Sequence, residues 1–343
     1  MYTFDGDNSY FDRQIVWIVI ATIALLVSII PDYRFLRNGN TTFLIYVGVL
    51  ILLVLVLFFG ETVKGAQSRF DFGFFSLQPS DPAKLALIAV LAKYFSKRHE
   101  LIGDFRHILV SGVYAFTFFG IVFIQPDFGS AIILFCIWFG MVLVAGIRFR
   151  HLAVVFMLGI LAFASLWQFV FLDYQKDRIL TFLDPLSDIQ GTGYNAYQST
   201  IAVGSGQLWG KGVGYGTQSK LEFLPEYETD FIFAAFAEEW GLIGVGLLFT
   251  LFGAVIWRLL SHALYGATNF ERLFAVGVAI LFISHFTIHI GMNIGLLPVT
   301  GTTVPFLSYG GSHLLTEFIG VGMVLAMARY TKTRYVAREL VES

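Results

Sequence analysis

Nine apolar stretches of this chain are candidates to cross a lipid bilayer, the third and ninth of them short, and no other feature restricts its fold so much. They cover residues 14–31, 42–60, 80–96, 107–124, 129–147, 151–172, 231–257, 273–296 and 313–328. A span needs about 20 apolar residues, with a range of roughly 17 to 25. The runs are continuous rather than alternating, which selects helices over a barrel. Composition agrees: only 13% of the 343 residues are charged, against roughly 25% in soluble proteins. The expected fold is an all-α polytopic membrane protein, a single membrane domain over 1–343 with about nine transmembrane helices. Cys136 is the only cysteine, so an intramolecular disulfide and a multi-cysteine metal site are excluded. The first run follows an acidic leader and lacks a small-residue cleavage site, unlike a cleavable signal peptide.

Lysine and arginine set the orientation. With the N-terminus outside, 14 of the 22 basic residues fall on the inner side, among them Arg34, Arg37, Lys97, Arg148, Arg150 and Arg329. The bias predicts an outside N-terminus and an inside C-terminus. Residues 173–229 then form a 57-residue outer loop, a length usual only for functional or disordered segments. Within it Tyr194–Val203 reads as a short amphipathic helix on the membrane surface. Glycines 204, 206, 210, 212, 214 and 216 follow. A phosphate-binding P-loop is rejected, because Ser205 and Gly212 stand where that motif needs glycine and Ser or Thr. A second irregular segment, 297–312, carries Pro298, Gly301, Pro305, Gly310 and Gly311. It reads as an outer loop dipping back into the bundle, which is tolerated only where protein or a wet cavity surrounds the backbone.

Four outer-side clusters carry charge to the membrane edge. In the first, Arg69, Gln78, Ser80, Asp81 and Lys84 gather, and Asp81 and Lys84 share a helix face at i, i+3. Ser80 also reads as a helix cap with Pro82 in the first turn, so a structural ion pair and a functional one stand side by side. In the second, Gln125-Pro126-Asp127 makes a turn, and Asp127 suits the N-terminus of the next helix. The third holds Lys176 and Arg178, either solvated or facing an anion. The fourth centres on Asp230, where polar loop becomes apolar helix, with Glu238 and Glu239 about two turns further on. Ionisable groups at such positions are functional hypotheses. Capping is the competing reading, with Thr229 as N-cap and Asp230 in the first turn. His285 and His289 have the i, i+4 spacing of a metal pair, but neither the glutamate after the first His nor a nearby third ligand is present. They read as packing histidines.

Taken together the clusters resemble the SEDS family (shape, elongation, division and sporulation). The matching residues are Gly65-Ala66 with Arg69; Gln78-Pro79-Ser80 with Ala83-Lys84; Gln125-Pro126-Asp127 with Gly129; and Asp184-Pro185. They continue through Gln198-Ser199, Gly204-Ser205-Gly206, Gly210-Lys211-Gly212, Gly216-Thr217-Gln218 and Leu224-Pro225-Glu226. Thr229-Asp230-Phe231, Glu238-Glu239, Pro298, Gly301, Pro305 and Leu307-Ser308-Tyr309-Gly310-Gly311-Ser312 complete the series. The Gly-Thr-Gln wording and Leu221–Glu226 resemble the RodA branch more than the division branch, FtsW. Departures are Asp81 for the family's usual glutamate and Phe70 for its usual tryptophan. The family usually has ten spans, and the first run here resembles its second, so the family's first span is expected to be absent.

The resemblance implies a peptidoglycan glycosyltransferase of the bacterial cytoplasmic membrane, polymerising lipid II on the outer face during cell elongation. Its partners would be lipid II, the nascent glycan strand, membrane lipid and a class B penicillin-binding protein; no nucleic acid is expected. Asp230 takes the position of the family's key aspartate, as general base. Lys84 and Arg69 would stabilise the departing pyrophosphate, with a divalent cation (Mg or Mn) and no organic cofactor. Asp81 would orient Lys84, and Asp127 would line the cavity. Arg178, Lys211 and Ser308 complete the expected substrate-binding set. A lipid II flippase and a non-catalytic scaffold for the penicillin-binding protein are the alternatives.

Overall fold

The computed structural model describes residues 9–37, 40–63, 66–73, 75–97, 105–146, 148–169, 171, 176, 180, 182, 193–221 and 223–342. Its elements are α1 (Ser9–Ser28), α2 (Arg34–Arg37), α3 (Thr41–Phe59), β1 (Glu61–Val63), β2 (Ala66–Asp71), β3 (Ser76–Leu77), α4 (Ser80–Ser96), α5 (Phe105–Ile124) and α6 (Phe128–Ala145). Then follow α7 (Phe149–Phe169), α8 (Tyr194–Ser205), α9 (Thr217–Lys220), α10 (Ile232–Tyr265), α11 (Asn269–Asn293) and α12 (Gly311–Glu342). A helix lies over each of the nine expected spans. Eight of them are long and apolar enough to cross a membrane; α4, with 17 residues, is the exception. The apolar stretches end before their helices do: α10 continues to Tyr265 and α12 to Glu342.

A three-stranded antiparallel sheet, in the order β1-β2-β3, fills the segment between α3 and α4. An all-α reading missed it because its strands are only two to six residues long.

The chain divides into two compact units. One comprises Met1–Phe11, Ile147–Phe252 and His285–Tyr309; the other comprises Asp12–Gly146, Gly253–Ser284 and Gly310–Ser343. In the second unit α4 is buried over most of its length, including Leu87, Ile88 and Leu91. That explains how a helix carrying Asp81 and Lys84 persists among apolar spans: protein, not lipid, surrounds it. Glycines permit the close packing. A Cβ at Gly277 would meet Ile88, and one at Gly140 would meet Ile280. Two buried donors here are paired across helices: Gln125 Nε2 donates to the Leu53 carbonyl (2.8 Å), and Trp138 Nε1 donates to Ser111 Oγ (3.1 Å).

In the first unit α10 breaks at Gly241 (φ 62°, ψ −167°), leaving helical segments on either side. The glycine-rich segment after α8 supplies the broken helix with partners. Leu242 N–H donates to the Gln207 carbonyl and Ile243 N–H to that of Leu208. In return Lys211 and Gly212 donate to the carbonyls of Glu238 and Glu239. Two backbones approach this closely only without side chains between them. A Cβ at Gly206 would collide with the Ala237 carbonyl, and one at Gly210 with that of Glu239. Gly210 also has φ +76°, a region that L side chains avoid. Gly210→Ala is therefore expected to destabilise the detergent-solubilised protein by about 2–4 kcal/mol, from left-handed strain plus overpacking. Gly159→Ala, in open space on α7, should leave the melting temperature unchanged or slightly raised. Equal melting curves for the two variants would contradict the packing described.

Candidate active site

Asp230 lies in the first unit, half-buried, on the turn that enters α10. That turn closes through Thr229 and Phe231 N–H groups, both donating to the Glu226 carbonyl (3.2 and 3.1 Å). Three successive carbonyls are then taken up from outside it. Tyr309 N–H donates to Glu228 O (3.0 Å), Ser308 Oγ to Thr229 O (3.1 Å) and Asn293 Nδ2 to Asp230 O (3.1 Å). The backbone at Asp230 is therefore fixed on both sides of its side chain. A Cβ placed on Gly301, itself at φ +69°, would lie 3.7 Å from Asp230 Oδ2. Gly301 thus packs beside the carboxylate, and its positive φ rather than lack of space is what favours glycine there. Burial pushes the neighbouring Glu228 carboxyl above the usual glutamate range.

The capping explanation of this stretch is corrected. Helix α10 starts at Ile232, two residues beyond Asp230. Thr229 Oγ1 bonds back to Glu226, at 3.0 Å to Oε2. The orphan N–H of Ala234 is instead satisfied by Asn293 Oδ1 (3.1 Å). Asn293 is fully buried on α11, and its Nδ2 also donates to the His289 carbonyl (2.8 Å). Ser199 on α8 donates to the Asn293 carbonyl (2.8 Å). Local pattern gave no sign of this hub, because its contacts with α8 and with the entry to α10 lie 59 to 94 residues away in sequence.

His285 and His289 hold the irregular segment in place, each through Nδ1. They donate to the carbonyls of Thr303 (3.1 Å) and Thr302 (2.6 Å). Carbonyl oxygens can only accept, so Nδ1 carries the proton in both rings. Packing histidines were expected, and these bonds specify what they pack.

Glu238 is completely buried, and its carboxylate gathers a ring of donors. Lys211 Nζ lies 2.7 Å from Oε1, with Thr217 N at 3.0 Å, Thr217 Oγ1 at 3.1 Å and Gln218 N at 3.2 Å. Glu239 Oε1 accepts from Gly214 N (3.0 Å). The two adjacent carboxylates thus tie the glycine-rich segment to α10. Lys211, expected to bind substrate, is engaged with Glu238 in this clasp. Ser308 is similarly occupied: its Oγ accepts from Val304 N (2.8 Å) while donating to Thr229 O.

In the second unit Asp81 and Lys84 are both buried, with Lys84 Nζ 3.0 Å from Asp81 Oδ1. Ser80 does not cap α4; its hydroxyl donates to Ser130 Oγ on α6 (3.1 Å). Asp127 does cap α6, accepting from Ser130 N (3.1 Å) through one oxygen. Its other oxygen accepts from Gln78 Nε2 (2.8 Å). Arg69 on β2 is half-buried, with Nε enclosed and without a hydrogen-bond partner among the described residues. Arg178 lies outside the described residues. Among the described residues no three His, Cys, Asp or Glu side chains gather to hold a metal ion.

Comparison with known proteins gives the family. A family model described as FtsW, RodA and SpoVE cell cycle protein matches residues 1–333. Stage V sporulation protein E of Bacillus subtilis is 36% identical over 96% of this chain and 90% of its own length. The peptidoglycan glycosyltransferase MrdB of Escherichia coli K12 is 39% identical, over 84% of this chain and 78% of its own. A probable peptidoglycan glycosyltransferase FtsW of Thiomicrospira cyclica is 34% identical, over 94% and 83%. A chain from a peptidoglycan synthase complex that coordinates polymerization and crosslinking superposes with TM-score 0.80 at 30% identity, covering 95% of this chain and 91% of that one. RodA of Thermus thermophilus superposes with TM-score 0.69 at 28% identity, covering 95% and 89%. Similar identity to three branches leaves the expected preference for RodA unresolved at this level.

The clasp makes its own prediction. Lys211→Met leaves a buried carboxylate short of its cation, which costs about 3–5 kcal/mol at a dry site and less at this partly exposed lysine. Its melting temperature should fall, and Glu238→Gln added to it should recover part of the loss. An unchanged melting temperature would make Lys211 a surface contact instead.

The chain belongs to the FtsW/RodA/SpoVE family, the SEDS proteins.

Proposed function

We propose that this member of the family is a peptidoglycan glycosyltransferase that polymerises lipid II into glycan strands, with Asp230 as general base. The observation that carries the reading is the fixing of three consecutive carbonyls, 228 to 230, around a half-buried carboxylate. A base needs a set position more than a large pKa shift, because proton transfer requires hydrogen-bond reach. Asp230 takes the proton of the acceptor sugar hydroxyl as its oxygen attacks the donor anomeric carbon. The bond from that carbon to the pyrophosphate breaks, and the lipid pyrophosphate leaves with the electron pair. Direct displacement inverts the anomeric centre. One carboxylate suffices, since pyrophosphate leaves without a protein acid; most glycosidases need two.

Lys84 and Arg69 are the cations assigned to the pyrophosphate. The enclosed Arg69 Nε has an unused donor, and the Lys84 ammonium gives one of its three donors to Asp81. A divalent ion remains part of the proposal only as a companion of the phosphates. No step here passes through it. The elongation role rests on the RodA-like wording at Gly216–Gln218 and Leu221–Glu226. The crosslinking partner is a class B penicillin-binding protein, and the site faces outward on the bacterial cytoplasmic membrane.

The test is polymerisation of purified lipid II by the full chain, with and without that partner. Asp230→Asn is expected to lose at least about 100-fold in rate, with an unchanged melting temperature. Full polymerisation by the variant would end the base assignment. Vesicles holding fluorescent lipid II should show no flipping above protein-free controls; flipping without polymerisation would favour the transporter reading.

A further inference from the structure

We propose that His313, backed by Glu317, is a positioning residue for Lys84 that acts through Asp81. The inference rests on the reading of Lys84 as a pyrophosphate-binding cation. Two helices meet here, each presenting a pair of charged groups on one face. On α4, Asp81 and Lys84 are three residues apart; on α12, His313 and Glu317 are four apart. His313 Nε2 lies 2.8 Å from Glu317 Oε1, and its Nδ1 lies 3.7 Å from Asp81 Oδ1. That same Oδ1 holds Lys84 Nζ at 3.0 Å. All four side chains are buried.

The approach of the helices is built in around this pair of pairs. Ser312 Oγ accepts from Gln78 N (3.2 Å), so two adjacent residues at the start of α12 engage the segment entering α4. Two turns further along, Gly320 leaves room for Leu85, whose Cδ2 would lie 3.0 Å from a Cβ at that position.

Charge explains the consequence. A buried lysine bound to a carboxylate of its own is largely neutralised, which makes it a weak partner for phosphate. The imidazole of His313 stands 3.7 Å from Asp81 Oδ1, an ion-pair rather than a hydrogen-bond distance, and positive charge on that ring offsets part of the carboxylate's negative charge. Both ring nitrogens of His313 face carboxylate oxygens within ion-pair distance, so a protonated ring is attracted from both sides. Glu317 fixes the ring from the far side, as carboxylates do for catalytic and metal-bound imidazoles. Lys84 is thereby held in place yet keeps positive charge for the pyrophosphate. Asp81 has a shorter reach than glutamate, and His313 and Lys84 approach the same oxygen of its carboxylate, Oδ1.

The test is lipid II polymerisation by full-length His313→Gln, Asp81→Asn and their double variant, with melting curves for each. His313→Gln should lower kcat roughly tenfold while KM changes less than about threefold. The double variant should be no slower than Asp81→Asn alone, since His313 acts through Asp81. Losses that multiply, or a His313→Gln enzyme at the wild-type rate, would overturn the proposal. If His313→Gln fails to fold, Glu317→Gln carries the test, with an expected loss of about threefold in kcat that Asp81→Asn again masks. Folded wild-type protein without polymerisation would overturn the parent reading and this one. Polymerisation that needs Lys84 but ignores His313 and Glu317 would overturn this one alone.

Discussion

Backbone that leaves the helical path inside a membrane protein must find its hydrogen-bond partners within the protein, because lipid offers none. The structure of this chain follows from how it meets that demand. At Gly241 the break in α10 is answered by the carbonyls of Gln207 and Leu208. At the turn before α10, the carbonyls of residues 228 to 230 are answered by Tyr309, Ser308 and Asn293. The segment after α11 is answered by His285 and His289. Each device spends a polar side chain or a glycine on an irregular strip of chain. The strip that results carries Asp230.

Buried charge obeys the same economy. An isolated ion in a low-dielectric interior is costly, and pairing alone often only breaks even. Glu238 avoids the cost with a cation and several N–H and O–H donors. Asp81 does so with Lys84 and His313. The two arrangements differ in outcome. Glu238 is fully buried and enclosed by donors that tie down a loop, which is a structural use. Lys84 shares its carboxylate with a nearby imidazole, an arrangement that fits the proposed role of its ammonium at a phosphate.

Much of this was legible in the sequence. Apolar runs placed the nine helices, since length and hydropathy are one-dimensional signals. Asp127 at a helix N-terminus, a helix over 194–203, which the structure extends to Ser205, and the Asp81–Lys84 pair also followed from local spacing. What local pattern could not supply were contacts between distant segments. Ser80 and Thr229 look like caps in sequence, yet their hydroxyls bond elsewhere. Lys211 and Ser308 look available for substrate, yet both are engaged in holding backbone or a buried acid. Asn293 has no local signature at all. His313 and Glu317 sit at a helix start that reads as ordinary until α4 is laid beside it. The short strands β1 to β3 lie below the length at which alternation is detectable.

A general base at Asp230, as proposed, has to be ionised to take the acceptor's proton, so acid should slow polymerisation. The most direct measurement is the pH dependence of kcat/KM for lipid II polymerisation by the wild type and by Asp230→Asn. A protonated carboxyl cannot take up the hydroxyl proton, so the wild-type rate should fall on the acid side. The residual rate of Asp230→Asn should lack that limb. The same acid limb in both proteins would contradict the account.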